Sequence, residues 1–477
     1  MCGILGIGAQ HEVAAELVYG LTALQHRGQD AAGVVTFGNR FHMKKGLGLV
    51  NNVFKDQDLA LLPGNWGLGH VRYATQGSVN ILDAQPFALN YPFGIAMVHN
   101  GNVTNFDELK KTLYGSHHRL LETSNDLELI LYTLASELEK KDLGQLAVPD
   151  IFEAVSVTQQ KIEGAYSTIT IIANKGMLAF TDQHGIRPLI LGRKYTSRGM
   201  AYSFASESTC FDYLGFEPIR DLQPGEAVFI DNNGRVHSSL CSQKERAFCV
   251  FEYIYFARED SVIHSRLVAS ERVRMGKMLA KSVQKEGLEP DIVIDVPSSA
   301  YFAASGLAEA LGVPYRRGLS KNNHIGRSFI SPSQVERERM VRQKLNPIRD
   351  VLEGKKVAVV DDSIVRGTTS KHLVHLMRES GAKEVYFISA APPIRFPCVY
   401  GIDMSIKKEI IAAHYEVKEL SKYIEADAVI YQSLEDLREM YNDFPCCYAC
   451  FSGKYPTNIS DDNFNSIEQE RVWQKRC

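Results

Sequence analysis

The stretch KVAVVDDSIVRGTT, Lys356 to Thr369, decides the fold of the second half of the chain. Its mostly β-branched run Val357–Val360 stands between charged residues, a pattern typical of a buried strand in a parallel sheet. Asp361 and Asp362 follow at the carboxyl end of that strand. Open α/β sheets bind ligands outside this end, at the start of the next helix. The stretch therefore predicts a ligand site between a strand and the helix after it.

The loop that follows the two acids suits a phosphate group. Gly367 lets the backbone approach a ligand, while the hydroxyls of Thr368 and Thr369 and the N–H groups of the loop can bind phosphate oxygens. The next segment, KHLVHLMRESG, has helical spacing and a stop at Gly381. Carboxylates beside a phosphate cradle fit a sugar phosphate. An acid pair alone more often just ends a strand, so the prediction depends on the whole string.

The string VVDDSIVRGTT resembles the ribose-phosphate signature of the type I phosphoribosyltransferases, which use 5-phosphoribosyl-1-diphosphate (PRPP). This resemblance implies a domain built on a mostly parallel sheet. It also implies that Asp361 and Asp362 bind the ribose hydroxyls and Mg²⁺. The residues implied around the 5-phosphate are Ser363, Ile364, Val365, Arg366, Gly367, Thr368 and Thr369.

Length and composition limit the other possibilities. A chain of 477 residues predicts about three domains, or two large ones. With 45% hydrophobic residues, 23% charged residues and a net charge of −3, the chain has no basic field of the kind that binds nucleic acid. It shows neither a leader pattern nor an apolar run of about 18 residues, so we expect a soluble, cytoplasmic protein without a membrane partner. Nine scattered cysteines in such a protein favour metal binding or catalysis over disulfides.

The chain opens with MCGILGI, which offers a candidate nucleophile. Removal of Met1 would leave Cys2 with a free α-amino group. The pKa of such an amine is about 7.7–8.0 and that of a thiol about 8.5, so the amine can take the thiol proton near neutral pH. The structural alternative is that Cys2 is a small buried hydrophobe before a strand.

Two further motifs each have a catalytic and a structural interpretation. In His99-Asn100-Gly101, the Asn side chain and the glycine N–H can form an oxyanion hole, but Asn-Gly is equally typical of a hairpin turn. Thr123 and Asp126 fit a capping box at the start of a helical segment. The functional alternative places the Asp126 carboxylate against an α-ammonium group.

Five motifs in order, MCGILGI, LQHRGQDAAG, GHVRYAT, HNGNVTN and TSND, resemble the N-terminal-nucleophile glutaminase domain of the class II glutamine amidotransferases. The resemblance implies an αββα sandwich, with two antiparallel sheets between helical layers. It implies that Cys2 attacks the glutamine amide and that Asn100 and Gly101 stabilise the oxyanion. Arg72 and Asp126 would bind the carboxylate and ammonium groups of glutamine, which suits a guanidinium fork and a carboxylate.

We expect the first domain to end near the turn-rich segment Leu222–Ser238. This gives a glutaminase domain over residues 2–238 and a phosphoribosyltransferase domain with a C-terminal cysteine segment over residues 239–477. In the second domain, DIVIDVPSS predicts another buried strand that ends in hydroxyls. The resemblance places Ser299 where the transferases supply a further oxygen near Mg²⁺, although the preceding residue, usually acidic in that family, is Ser298.

The segment Lys321–Asp350 is polar and basic, with few residues for a core. A solvated helix is the usual interpretation of such a charge run. A long loop beside a phosphate site also suits a lid that folds over a diphosphate. Because Lys321 and Arg327 would bring positive charge to the phosphate oxygens, we expect the lid and place both residues at PRPP.

The C-terminal region carries a CxxC motif, Cys447 to Cys450, which alone leaves zinc, a redox pair and an iron–sulfur cluster open. Spacing does not bring the distant Cys249 and Cys398 to it. The whole chain is similar to the family of enzymes that join these two domains, in the branch that carries a 4Fe–4S cluster. That similarity implies Cys249, Cys398, Cys447 and Cys450 as the ligands, with Cys446 as an extra neighbour.

The combined resemblance implies a two-site enzyme. Glutamine would be hydrolysed at Cys2, and ammonia would attack C1 of PRPP to give 5-phosphoribosylamine, diphosphate and glutamate, the first committed step of purine nucleotide synthesis. We expect Mg²⁺ and the 4Fe–4S cluster as cofactors, purine nucleotides as inhibitors, and a homo-oligomer, a tetramer by family resemblance.

Two other classes fit the sequence less well. A different class II amidotransferase would lack VVDDSIVRGTT. A regulator that senses PRPP would not need Cys2, Arg72, Asn100 or Asp126, and would usually bring a DNA-binding module.

Overall fold

The computed structural model describes residues 1–73, 80–322, 345–402, 404 and 406–474. In the first half, runs rich in apolar and small residues form strands, and those described are β1 (Gly3–Gly8), β2 (Ala31–Phe37), β3 (Phe41–Leu47), β4 (Trp66–Arg72), β5 (Phe87–Leu89), β6 (Ile95–Val103), β7 (Gly164–Ile172), β8 (Gly176–Thr181), β9 (Ile190–Thr196), β10 (Gly199–Ala205), β11 (Glu217–Asp221), β12 (Glu226–Asp231) and β13 (Val236–Leu240). They form two antiparallel sheets, ordered β11-β9-β10-β1-β4-β2-β3 and β13-β12-β8-β7-β6-β5.

Helices cover the outer faces of both sheets. They are α1 (Ala14–Ala23), α2 (Val50–Val53), α3 (Asp56–Leu59), α4 (Phe106–His117), α5 (Leu127–Glu139), α6 (Val148–Lys161) and α7 (Thr209–Leu214). One apolar cluster joins α1 and α7 to the first sheet, and another joins α4, α5 and α6 to the second. A third, which includes Leu68, Val98 and Ile169, fills the space between the sheets. The predicted αββα sandwich is therefore confirmed.

Strand β1 lies inside the first sheet, with β10 on one side and β4 on the other. All of its residues are buried, so it runs through the core between neighbours on both edges. Cys2 immediately precedes this strand and is half-buried. The N-terminal cysteine is therefore held at the end of a rigid central element.

The second half is built on a parallel sheet. Its strands and those of the short ladders around it are β14 (Phe248–Cys249), β15 (Val262–Ile263), β16 (Arg266–Leu267), β17 (Ile292–Asp295), β18 (Leu319–Lys321), β19 (Leu345–Pro347), β20 (Lys356–Asp361), β21 (Glu384–Ser389), β22 (Ala428–Tyr431) and β23 (Cys446–Cys447). The main sheet has the order β17-β20-β21-β22, and each neighbouring pair is parallel. This confirms the predicted parallel architecture and the two predicted strands β17 and β20.

The helices described in this half are α8 (Val268–Lys285), α9 (Tyr301–Leu311), α10 (Arg349–Leu352), α11 (Thr368–Glu379), α12 (Val417–Ile424), α13 (Leu434–Met440), α14 (Ala449–Ser452) and α15 (Asp461–Gln474). Helices α8 and α9 pack on one face of the sheet, and α10, α11 and α12 pack on the other. Among the described residues, none of the helices combines the length and apolar character needed to span a bilayer.

The two halves share an apolar core, here called the interdomain cluster. Its buried members include Met1, Ile186, Phe248, Phe251, Tyr253, Tyr400, Met404, Tyr441 and Phe451. Strand β13, which closes the second antiparallel sheet, runs to Leu240 and so crosses the expected boundary between residues 238 and 239. The division into residues 2–238 and 239–477 stays a prediction.

Candidate active sites

Cys2 and Asn100 meet although they lie in different sheets. The Cys2 backbone N–H donates to Asn100 Oδ1 at 3.1 Å, and Cys2 Sγ lies 3.8 Å from the carbonyl oxygen of Tyr73. Asn100 is buried on β6, and its Nδ2 has no hydrogen-bond partner within the described part of the chain. A buried donor without an acceptor costs free energy. Near the Cys2 thiol, Asn100 Nδ2 is therefore a candidate donor for the oxyanion of a tetrahedral intermediate.

Gly101 continues β6 rather than turning a hairpin. Asn100 pairs with Ser167 and Gly101 with Tyr166 of β7, in the middle of a continuous ladder. The φ angle of Gly101 is +154°, and a Cβ there would collide with the carbonyl oxygen of Ala165. The hairpin interpretation of Asn100-Gly101 is therefore wrong, and the position admits only glycine.

Asp126 does not cap its own helix. Its Oδ2 accepts the N–H of Val103 at 2.9 Å, and its Oδ1 lies 3.2 Å from His99 Nε2. The Asp126 side chain makes no cap at the start of α5, where Asn125 Oδ1 instead accepts the Leu127 N–H at 3.0 Å, so the capping-box interpretation is also wrong. Burial favours a raised pKa for the Asp126 carboxyl, but the charge and hydrogen bond of His99 and the Val103 N–H hold that pKa below its usual value. The carboxylate is therefore ionised and suited to an ammonium group.

Gln85 fixes the His99 ring that faces Asp126. Gln85 Nε2 donates to His99 Nδ1 at 2.8 Å, and Gln85 Oε1 accepts the His99 backbone N–H at 2.7 Å. Because Nδ1 accepts, the proton of a neutral ring is on Nε2, toward the carboxylate. Neither residue was predicted to take part, and a lone glutamine gives no local signal.

Arg72 ends strand β4 and is buried. Its Nη2 lies 3.9 Å from Asp83 Oδ2, and Asp83 Oδ1 in turn accepts the Ser124 N–H at 3.3 Å. Ser124 stands two residues before Asp126. Asp83 therefore contacts both Arg72 and the segment that precedes Asp126. Residues 74–79, which follow Arg72 and Tyr73, lie outside the described part of the chain.

A buried ionic network holds the other side of Cys2. Arg27 Nε donates to the Cys2 carbonyl oxygen at 2.9 Å, and its Nη groups reach Glu252 at 2.8 and 3.0 Å and also Glu207. Burial favours a raised pKa for Glu207, but the charges of His26 and Arg27 hold its pKa far below the usual value. Arg27 stands inside the motif LQHRGQDAAG, and the motif predicted no separate role for it.

The acid pair of the second site stands where the sequence predicted, at the carboxyl end of β20. Asp361 Oδ1 accepts the Asp362 N–H at 2.9 Å, and Asp362 accepts from the Ser363 hydroxyl at 2.7 Å. Ser299, which follows β17, donates its hydroxyl to the other oxygen of Asp362. Burial raises the pKa of Asp361, as does the neighbouring Asp362 charge, and burial raises the pKa of Asp362. The pair therefore favours a cation or hydroxyl donors beside it.

The phosphate loop lies between β20 and α11. Gly367 has φ +73° and is followed directly by the first turn of α11, whose leading N–H groups have no intrahelical partner. Arg366 forms an ion pair with Glu409 at 2.9 Å. Lys321 Nζ donates to Ser298 Oγ at 2.8 Å, next to Ser299. The predicted residue Arg327 lies outside the described residues, as does most of the predicted lid.

The predicted cluster cysteines lie on three segments of the chain. Cys249 lies opposite Cys447 in the parallel β14–β23 ladder. Burial raises the pKa of Cys450, and so do the neighbouring thiols Cys398, Cys447 and Cys249. Burial also raises the pKa of Cys249 to about 11. Within the residues described, no group of three or more His, Cys, Asp or Glu side chains was found that could hold a metal ion.

These two sites define the class: a class II glutamine amidotransferase joined to a type I phosphoribosyltransferase. The glutamine amidotransferase domain family matches residues 70–213. The amidophosphoribosyltransferase of Pasteurella multocida is 45% identical over 99% of this chain and 96% of its own length. The chain belongs to the amidophosphoribosyltransferase family.

Solved structures agree over nearly the whole chain. The glutamine PRPP amidotransferase of B. subtilis, complexed with ADP and GMP, matches with a TM-score of 0.85 at 40% identity, over 97% of this chain and 98% of that one. An allosteric regulatory enzyme of purine biosynthesis matches with a TM-score of 0.86 at 40% identity, over 97% of each chain. The likeness therefore covers both halves and their arrangement.

Proposed function

We propose that this protein transfers ammonia from glutamine to C1 of PRPP and so catalyses the first committed step of purine nucleotide synthesis. The proposal rests on two sites in one chain. At the first, Cys2 lies beside Asn100, whose Nδ2 has no partner among the described residues, and at the second the Asp361–Asp362 pair precedes the predicted phosphate loop. The family of the chain and the purine biosynthesis enzyme of the same fold support it.

At the first site, Arg72 and Asp126 hold the carboxylate and ammonium groups of glutamine. With Met1 removed, the α-amino group of Cys2 takes the thiol proton, and the thiolate attacks the side-chain amide carbon. The tetrahedral oxyanion lies at Asn100 Nδ2 and the Gly101 N–H. Collapse of this intermediate transfers the proton to the leaving nitrogen, releases ammonia and leaves a Cys2 thioester. Water then hydrolyses the thioester to glutamate.

At the second site, Asp361 and Asp362 bind the ribose hydroxyls, and the loop from Ser363 to Thr369 binds the 5-phosphate. Lys321 and Arg327 would neutralise the departing diphosphate. Ammonia attacks C1, the C1–O bond to diphosphate breaks, and the amine loses a proton to give 5-phosphoribosylamine. The chemistry is therefore mostly positioning and charge neutralisation. Ammonia has to be shielded from water between the sites, which accounts for two domains on one chain.

We propose two cofactors, Mg²⁺ from the chemistry of its donor side chains and a 4Fe–4S cluster from the family resemblance. Asp361, Asp362 and Ser299 offer the oxygen ligands that suit Mg²⁺, which would neutralise diphosphate charge when bound. Cys249, Cys398, Cys447 and Cys450 are the type of side chain that ligates a 4Fe–4S cluster, and they are proposed as its ligands by family resemblance, although among the described residues no group of three or more such side chains was found that could hold a metal ion. An iron and sulfide assay tests the second assignment, and a zinc-containing preparation without sulfide would contradict it.

Further proposals concern partners and location. The B. subtilis relative is complexed with ADP and GMP, which supports purine nucleotides as inhibitors of this enzyme. A homo-oligomer and a cytoplasmic location are proposed by family resemblance alone. Measuring PRPP-dependent turnover at increasing concentrations of ADP and GMP tests whether purine nucleotides inhibit the enzyme.

The experiment that tests the proposed function is the Cys2→Ser variant. We expect it to lose turnover with glutamine and to keep synthesis of 5-phosphoribosylamine from PRPP and an added ammonium salt. The reason is that a serine hydroxyl is a far weaker nucleophile than a thiolate, whereas the second site receives ammonia directly. Loss of both activities in a folded variant would contradict the division of labour between the two sites.

A further inference from the structure

A loop of the second half, Val399–Gly401, packs against the oxyanion residues of the first half. Asn102, two residues after Asn100 on β6, donates from Nδ2 to the Val399 carbonyl oxygen at 2.8 Å. Both groups are buried. The loop thus reaches the strand that carries the predicted oxyanion hole, although the two segments are almost 300 residues apart in the chain.

A second bond fixes the next residue of the loop. Arg187 donates from Nε to the Tyr400 carbonyl oxygen at 3.0 Å, and its Nη2 reaches the same oxygen. Arg187 is buried, and its Nη1 lies 3.6 Å from Glu252. Because a buried guanidinium is costly to leave unpaired, this contact holds the loop in one position.

The third contact is between two glycine backbones. Gly401 has φ +92°, and a Cβ placed on it would lie 2.8 Å from the Gly101 carbonyl oxygen and 3.0 Å from the Gly101 carbonyl carbon. On its other side, Gly101 lies against the backbone of Ala165. The Gly101 peptide is therefore held between its own sheet and the loop of the other half.

We infer that Val399–Gly401, contributed by the phosphoribosyltransferase half, is a positioning element of the glutaminase site. It touches no substrate. It holds the Asn100-Gly101 segment where the oxyanion forms, a placement that has to be correct within about 0.5 Å for full activity. The glutaminase site is then incomplete without the second half. The inference rests on the proposed function, because it presupposes glutamine hydrolysis at Cys2.

The test is the Gly401→Ala variant of the full chain. The added Cβ displaces the Gly101 carbonyl, so we expect kcat with glutamine to fall by at least about tenfold. The KM for glutamine should stay within about twofold, because Arg72 and Asp126 still bind the substrate. Synthesis from PRPP and ammonium salt should keep its wild-type rate. This split between kcat and KM is one that a general loss of stability would not produce.

Gly312→Ala is the matched control. Gly312 also lies in the second half with a positive φ of +68°, but nothing stands within 4 Å of an added Cβ. We expect both activities of this variant to match the wild type. Asn102→Ala, which removes the bond to Val399, should repeat the selective loss of kcat without any change at a glycine.

Three outcomes would overturn the inference: an unchanged kcat with glutamine in Gly401→Ala, a rise in KM alone, or an equal loss of both activities. The failure of the proposed function itself has a different signature. In that case the wild-type protein would produce no 5-phosphoribosylamine from PRPP with either nitrogen source, whatever the variants do.

Discussion

At the scale of single residues, Asn100 shows how one amide serves a site in two ways. Its Oδ1 accepts the Cys2 N–H, which fixes the nucleophile, while its Nδ2 stays unpartnered among the described residues. These atoms lie on opposite sides of the amide. A substitution can therefore remove the oxyanion donor and keep the acceptor for Cys2.

We expect Asn100→Asp to lower kcat with glutamine by about 10²- to 10³-fold, the usual cost of losing one oxyanion donor. The carboxylate keeps an acceptor for Cys2 but places an oxygen where the donor was. Activity with ammonium salt and PRPP should be unchanged, as measured by steady-state kinetics with each nitrogen source. Asn52→Asp, at an exposed position, controls for the added charge. If the Asn100→Asp variant kept the wild-type kcat with glutamine, the proposed role of Asn100 in the oxyanion hole would be contradicted.

The Thr123 and Asp126 pair shows how a local sequence pattern can predict the wrong contact. Thr123 and Asp126 match a capping box, yet the structure uses Thr123 to donate to Glu128 at 2.8 Å and Asp126 to bind Val103 and His99. The buried backbone N–H of Val103, on strand β6, needs a hydrogen-bond acceptor, and Asp126 supplies it. Because Val103 lies 23 residues before Asp126, the local sequence around residue 126 does not predict this hydrogen bond.

At the scale of elements, strand β20, its acid pair and helix α11 form one unit that the sequence predicted closely. Its signals are local: a β-branched run, two acids and a glycine before a helical repeat. The glutaminase site has no such local signal, because its residues come from separate parts of the chain: Cys2, Arg27, Asn100 and Glu207. The motif resemblance predicted that Cys2 and Asn100 belong to this site. Arg27 and Glu207 pair across 180 residues of sequence, and no local pattern indicates such a pair.

We expect Gly367→Ala to weaken PRPP binding. Its φ of +73° disfavours a side chain by about 1–2 kcal/mol, and an added Cβ would lie 2.6 Å from Ile411 Cδ1. The loop should shift, so the KM for PRPP should rise by about tenfold or more, while glutamine hydrolysis persists. Gly354→Ala is the matched control, because its φ is +70° and nothing lies within 4 Å of an added Cβ. An unchanged KM for PRPP in Gly367→Ala would refute the phosphate role of the loop.

At the scale of the whole molecule, the two halves are joined through buried charge as well as apolar packing. Arg27 binds Glu207 of the first half and Glu252 of the second, and it also holds the Cys2 carbonyl. All three charged side chains are fully buried. Removing one partner leaves the others incompletely paired, which makes this network sensitive to pH and to substitution.

Glu207→Gln should reduce the free energy of unfolding by about 1.5–3 kcal/mol at pH 7, the cost of losing hydrogen bonds to a charged group. Because the pKa of Glu207 is lowered far below its usual value in the folded state, its stabilising effect is complete above the unfolded pKa of about 4.3 and is lost progressively as the pH falls from there toward the folded pKa. Urea unfolding at pH 7 and pH 4 should therefore show a difference from wild type that narrows on acidification. A constant difference would show that the Glu207 charge is not the source of the effect.

Met1 is buried in the interdomain cluster, among residues of both halves. While a residue precedes Cys2, the amine that the thiol needs is not free, and the folded halves cover the Met1 side chain. Molecules that keep Met1 should therefore fold and yet be unable to use glutamine, and intact mass measurement would distinguish them from molecules that begin at Cys2.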